Sequence, residues 1–243
     1  MTESLTNDIR TRFEYVQEQI HAAALKAGRS PDSVQLVVVT KTHPLEVVQA
    51  AIEAGARILG ENYAEEAVQK ISAITNPQVQ WHMIGHVQSR KAELVALNFD
   101  MIHSLDSLKL AQRLSRSCAQ SGRTLTALLE CNVSGEASKF GYPVWNEAGR
   151  ESLCREIEQM LALPNLKLCG LMTMPPLADD PQRSRPFFGR LRELNEWLSI
   201  RFPQTGWDQL SMGTTADFAA AVEEGATLVR VGTAILGARP PHG

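Results

Sequence analysis

A single (β/α)8 barrel preceded by one extra helix is the fold class the sequence predicts, from three observations. Eight apolar, β-branched runs recur along residues 34–237. Helical patterns separate the runs, which implies βαβ crossovers and a parallel sheet. The runs are apolar with little alternation, as strands covered on both faces are. Eight such units within 243 residues suit a closed barrel better than an open doubly wound sheet, the alternative architecture.

The elements follow in order. A first helix covers about residues 5–27 and closes at Gly28. VQLVVVTK (34–41) is the first strand. PLEVVQAAIEAG (44–55) opens with Pro44 and stops at Gly55, the proline-first, glycine-last order of a helix. RILGE (57–61) is the second strand, with a helix over 63–74. VQWHMIG (79–85) and a short helix over 90–97 come next, then DMIHSLD (100–106) and a helix over 108–119. LTALLECNV (125–133) leads through a loop to a helix near 146–163. LKLCGLMTM (166–174) precedes a long helix over 184–201. WDQLSMG (207–213) and TLVRVGTAILG (227–237) are the last strands, with ADFAAAVEEG (216–225) between them. No linker or composition break interrupts the chain, so residues 1–243 read as one domain, an α/β TIM barrel over about 34–239.

Composition excludes several classes. Charged residues make up 21% and the net charge is −3, which argues against a basic nucleic-acid-binding surface. Cys118, Cys131, Cys154 and Cys169 contain no CxxC pair, so a reduced intracellular protein is expected and a disulfide scaffold is not. The N-terminal segment MTESLTNDIRTRFEYVQEQIHAA carries charge throughout and lacks the apolar core of a signal peptide. No 18 apolar residues run together, so no membrane span is expected and the expected location is the cytoplasm.

In such barrels the chemistry sits where strands end and βα loops begin. Lys41 follows LVVVT without a break and starts from a buried strand end. A buried ammonium is costly. Such a lysine either snorkels to solvent at the rim or, desolvated, becomes an amine nucleophile suited to a Schiff base. Ser211, Thr214 and Thr215 in SMGTT either cap a helix or, with Gly232 and Thr233 after the eighth strand, cradle a phosphate. A lysine and a phosphate cradle in one mouth point to a phosphorylated carbonyl compound. Arg230 lies inside the apolar VRVG and needs a partner, either an ion pair or a ring nitrogen of a bound cofactor. His82 and His86 have HxxxH spacing, but the segment runs from strand into loop and no nearby carboxylate or Cys completes a set. No metal site is expected. Cys131 and Cys169 read as small core hydrophobes, and Met172 and Met174 as lining.

VVVTK, GENYAEE, WHMIGHVQSRK, IHSLD, SKFGY, GLMTM, SMGTTADF and VRVGTAILGAR together resemble the pyridoxal phosphate homeostasis proteins, alanine-racemase-like proteins also called proline synthase co-transcribed homologues. The resemblance covers about residues 34–239. It implies a fold-type III barrel holding pyridoxal 5'-phosphate as a Schiff base, a role in vitamin B6 homeostasis and amino and keto acid balance, and no established turnover. By motif position Lys41 is similar to the Schiff-base lysine, and Asn62 to a residue near the cofactor ring. Ser211, Gly232 and Thr233 are similar to phosphate ligands, and Arg230 to the partner of the pyridine nitrogen. SMGTT departs from the commoner SMGMS, and His86 stands where Pro is frequent. The alternative function is an amino-acid racemase of the same fold. An arginine at the pyridine nitrogen leaves it unprotonated and makes the ring a weaker electron sink. Racemases of this fold add a tyrosine base from the partner subunit's separate C-terminal domain. This sequence ends at the eighth unit and holds three tyrosines, Tyr15, Tyr63 and Tyr142. A cofactor carrier without catalysis is therefore expected, as a monomer serving apo pyridoxal-phosphate enzymes.

Overall fold

The computed structural model describes residues 2–176 and 178–238. Arg239, where the expected barrel span and the VRVGTAILGAR motif end, lies outside the described residues. The chain begins with α1 (Thr2–Lys26), then β1 (Gln35–Val39), α2 (Leu45–Glu53), β2 (Ile58–Glu61) and α3 (Ala64–Ala73). β3 (Gln80–Met83), α4 (Ala92–Asn98), β4 (Met101–Leu105), α5 (Leu108–Ser121) and β5 (Leu125–Asn132) follow. After the two-residue β6 (Tyr142–Pro143) come α6 (Glu147–Leu161), β7 (Leu166–Met172), α7 (Arg185–Arg201), β8 (Gln209–Thr214), α8 (Phe218–Glu223), β9 (Leu228–Val231) and α9 (Thr233–Leu236).

Pairing runs β1-β2-β3-β4-β5-β7-β8-β9 and returns from β9 to β1, all parallel, so eight strands close into a barrel. β6, a stretch the sequence reads as loop, extends the end of β5 through Cys131 and Asn132. α1 packs on α2, α8 and α9, driven by Ile9, Phe13, Val16 and Ile20 on one helical face.

The apolar interior has two parts. A large cluster lies between strands and helices. A small one holds Val37, Ile58, Leu128, Cys169, Met172 and Leu228 from strands around the ring, plugging the barrel. Residues i and i+2 of a strand share a face. The tier above the plug is therefore Val39, Glu130 and Arg230, and all three line the cavity at the strands' C-terminal ends. Among the described residues no helix is long and apolar enough to cross a membrane.

Candidate functional site

The cavity at the mouth has a volume of about 680 Å³, within the range of small-ligand pockets. Lys41, Asn62, Arg230, Gly232 and Thr233 line it, with Thr214, Thr215, Glu130, His86 and Lys139. Five of the six residues expected to bind the cofactor thus meet in one place. The sixth, Ser211, is fully buried and is not part of the cavity wall.

Lys41 stands on a turn that a buried ion network supports. Lys70 donates to the Thr40 carbonyl at 2.9 Å, to Glu61 Oε1 at 2.8 Å and to Glu66 Oε1 at 2.6 Å. The Thr40 hydroxyl also reaches Glu61 Oε1, at 2.7 Å, and the Thr42 N–H donates to Glu66 Oε1 at 2.7 Å. Both neighbours of Lys41 are thereby tied to α3 and β2. Burial raises the Glu61 carboxyl above its ordinary range, and Lys70 opposes that shift. Thr42 has φ 63°, an outlier for a β-branched residue. Such strain persists where surrounding bonds over-determine it, and here it sits beside the candidate nucleophile.

Arg230 is buried and enters the cavity from β9. It donates to Ser211 Oγ, to the Thr173 carbonyl at 2.9 Å and to Met174 Sδ at 2.9 Å. Those contacts use three of the five N–H donors of a guanidinium and leave two for a ligand. Burial lowers its pKa to about 10, with Glu130 and Asp217 opposing, so it is charged at neutral pH. Ser211 also bonds His103 Nδ1 at 2.8 Å, and His103 Nε2 lies 3.0 Å from His82 Nδ1. Burial holds His82 to about 4 and His103 well below its ordinary value. Both are neutral, and a polar chain runs under the cavity floor from Arg230 to His82.

The expectation for Ser211 therefore differs from its position: its hydroxyl is occupied by Arg230 and His103. The hydroxyl residues lining the cavity are Ser138, Thr214, Thr215 and Thr233, and the Ser138 hydroxyl is taken up by Glu136. Thr214 is taken up by Asp217 Oδ1, at 3.1 Å from its hydroxyl and 2.7 Å from its N–H. Thr215 Oγ1 lies 3.4 Å from the Gly232 N–H, joining the two loops. A Cβ on Gly232 would come within 3.2 Å of the Val39 Cβ and carbonyl, so glycine lets this edge close on β1. The first N–H groups of a helix have no carbonyl partner within it, and Thr233 opens α9.

Two buried polar atoms in the wall lack hydrogen-bond partners among the described residues, Asn62 Oδ1 and Glu130 Oε2. Such orphans are rare in a finished interior, and both of these belong to residues that line the cavity. Glu130 was missed by the sequence reading because it stands inside an apolar run. Its position two residues after inward Leu128 is the signal that exposes it. Burial raises its carboxyl to about 7, with Asp106 adding to the shift and Arg230 opposing it.

The HxxxH pair separates. His82 lies inside the barrel on His103, whereas His86 sits at the rim, 3.0 Å from Asp106 and stacked on Phe140 at 4.4 Å. Asn132, at the end of β5, holds the loop after that strand by accepting from the Ser134 and Gly135 N–H groups. The four cysteines are free and buried.

The sequence matches the family model described as alanine racemase, N-terminal domain, over residues 16–240. It is 42% identical over 235 residues to the pyridoxal phosphate homeostasis protein of Vibrio cholerae serotype O1, covering 95% of this chain and 96% of that one. It is 38% identical over 236 residues to that of Escherichia coli K12, covering 96% and 97%. Among solved structures it is similar to PipY of Synechococcus elongatus PCC7942 with PLP bound, at TM-score 0.82 and 33% identity, covering 94% of this chain and 100% of that one. The alanine racemase of Clostridium difficile 630 shares the fold at TM-score 0.70 and 15% identity, over 97% of this chain and 58% of the racemase.

Proposed function

Because this chain belongs to the alanine racemase N-terminal domain family, and within it to the pyridoxal phosphate homeostasis proteins, we propose that it holds pyridoxal 5'-phosphate reversibly on Lys41 and keeps it available to other proteins. The observation that carries the reading is the meeting of Lys41, Arg230 and the Thr215–Gly232–Thr233 edge around one cavity with orphaned polar atoms in its wall. When bound, the cofactor supplies an aldehyde carbon that condenses reversibly with a primary amine.

Lys41 provides that amine. Thr215, Gly232 and Thr233 take the phosphate through hydroxyls and backbone N–H groups. The orphaned Oδ1 of Asn62 would accept a hydrogen bond from the bound cofactor. Arg230, charged at neutral pH, would donate to the ring nitrogen of the cofactor, an arrangement that would leave the ring a weaker electron sink. Ser211 acts one layer below, holding the guanidinium in place. Among the described residues no tyrosine lines the cavity. Tyr142 donates to Glu156 Oε2 at 2.8 Å, away from it. These features favour a carrier over a racemase. Apo pyridoxal-phosphate enzymes as recipients, a monomer as the acting unit and a cytoplasmic setting belong to the same proposal.

The test is an absorption spectrum of the cofactor-loaded protein before and after borohydride, with the adduct mapped by mass spectrometry. Wild type should show a visible band and a reduced adduct on Lys41. Lys41→Ala should lose both, with weak phosphate-dependent binding remaining. An adduct on Lys139, or a visible band surviving in Lys41→Ala, would overturn the assignment. Lys41-dependent exchange of the Cα hydrogen of alanine at about 1–10³ s⁻¹, the ordinary enzymatic range, would overturn the carrier reading.

A further inference from the structure

Glu130 is the one carboxyl among the described residues that line the cavity, and cations surround it there. Arg230 enters from β9, Lys41 stands at the end of β1 until it holds the cofactor, and Lys139 belongs to the rim. Asp106, after β4, is the nearby like charge. Glu130 is 7% exposed, and its Oε2 is buried without a partner among the described residues. No ion pair to Arg230 occupies it. The chain at Gly141 packs closely against Glu130, since a Cβ there would come 2.9 Å from Glu130 Cγ and 2.6 Å from its carbonyl oxygen.

The ring order places β1 and β5 opposite one another, four strands apart in either direction. Lys41 and Glu130 line the same cavity, so a cofactor on Lys41 would share that cavity with Glu130. Other amines reach that cofactor from solvent mainly as ammonium ions, which cannot attack a carbonyl-type carbon until they lose a proton. A mouth lined by cations is a poor place for an ammonium ion unless a carboxylate receives it.

We propose that Glu130 is the proton acceptor for incoming primary amines, a role that rests on the cofactor reading above. The ammonium ion gives one proton to Oε2, its nitrogen keeps the electron pair, and the carboxylate becomes a neutral carboxylic acid. The reverse transfer accompanies departure of the amine. The proton is conserved and no further reactant is needed. A carboxyl that burial holds near neutrality is poised to carry the proton in both directions. The ligand class is the protonated primary amine, whether a free amino acid or the lysine of an acceptor protein.

Two probes separate this role from a general one in shaping the cavity. Alanine is almost wholly protonated at neutral pH and needs an acceptor, whereas aminooxyacetate carries a nitrogen that is already free. Stopped-flow absorbance of the loaded protein follows loss of the Lys41 band with each probe. Glu130→Gln should slow the alanine reaction by about 10²-fold, the lower end of general-base contributions, and leave the aminooxyacetate reaction nearly unchanged. Glu130→Asp should restore part of the alanine rate. Equal slowing of both probes, or an unaffected alanine rate, would overturn the proposal.

If Glu130→Gln does not fold, wild type alone decides. The alanine rate should rise as Glu130 ionises and level off well below the titration of alanine's own ammonium. A rise that keeps proportion with the free-amine fraction would overturn it. Failure to form a Lys41 adduct in wild type would instead strike the cofactor reading itself.

Discussion

A hydroxyl that bridges two buried bases matters differently from one that faces an open cavity, because its loss leaves both partners unsatisfied. Ser211 is the first kind, accepting from Arg230 and bonding His103. Ser211→Ala should lower stability by about 1–3 kcal/mol, the cost of unsatisfied buried groups. Thermal or urea unfolding of the cofactor-free protein measures it. Because the guanidinium then loosens, affinity for pyridoxal and for pyridoxal phosphate should fall by the same factor. Thr215 and Thr233 are the second kind. A charge-assisted hydrogen bond to phosphate is worth roughly 1.5–3 kcal/mol, so Thr233→Ala should weaken pyridoxal phosphate by about ten- to a hundredfold. Pyridoxal, which lacks the phosphate, should be insensitive, and so should the unfolding midpoint. A phosphate-specific loss in Ser211→Ala would return that residue to the cradle.

At the scale of elements, the β1–α2 turn is held from below by α3. Lys70 is 8% exposed and Glu61 fully buried, and their 2.8 Å ion pair carries the Thr40 carbonyl and hydroxyl with it. Removing one partner of a buried pair leaves the other charge uncompensated, typically at about 3–5 kcal/mol. Lys70→Met should therefore destabilise by that order and weaken cofactor fixation on Lys41, because the turn loses its support. Adding Glu61→Gln should recover much of the stability, since no buried charge then remains. Denaturant titration of the three proteins reads the first effect and borohydride labelling the second. An additive double variant would mean that the pair does not act as a unit. The GENY segment shows why this element was only half legible. Its asparagine lines the cavity as expected, while its glutamate turns to α3 and serves the backbone of Lys41. Sequence spacing places both at a strand end, and only the closed barrel separates the inward side chain from the outward one.

The barrel itself was legible because its signal is collective: eight apolar runs with helices between them need no single residue to be read correctly. The polar tier inside was harder to see, since Glu130 in LLECNV and His103 in MIHSL are isolated polar residues in apolar context. Their inward placement depends on how the strands stagger around the ring, including the register shifts between β4, β5, β7, β8 and β9. That tier should govern the response of the whole molecule to acid. His82 titrates at about 4 in the folded state against an ordinary 6.5, and burial holds His103 well below its ordinary value too. Between those values the unfolded chain binds protons that the folded one refuses, so stability falls as pH drops through this window. For His82 alone the loss approaches about 3 kcal/mol at its lower end, at 1.36 kcal/mol per unit. Glu130 works the other way. Its folded carboxyl keeps its proton up to about 7, while the unfolded one ionises near 4.5, so it favours the folded state on the acid side and offsets part of the histidine loss. Glu61, also raised by burial, adds to that offset. Urea midpoints of the cofactor-free protein between about pH 7 and pH 5 therefore read the balance of the two histidines against the two carboxyls. Glu130→Gln should lose more stability on acidification over the same interval, because its opposing titration is gone. Parallel curves for wild type and Glu130→Gln would show that Glu130 does not titrate there.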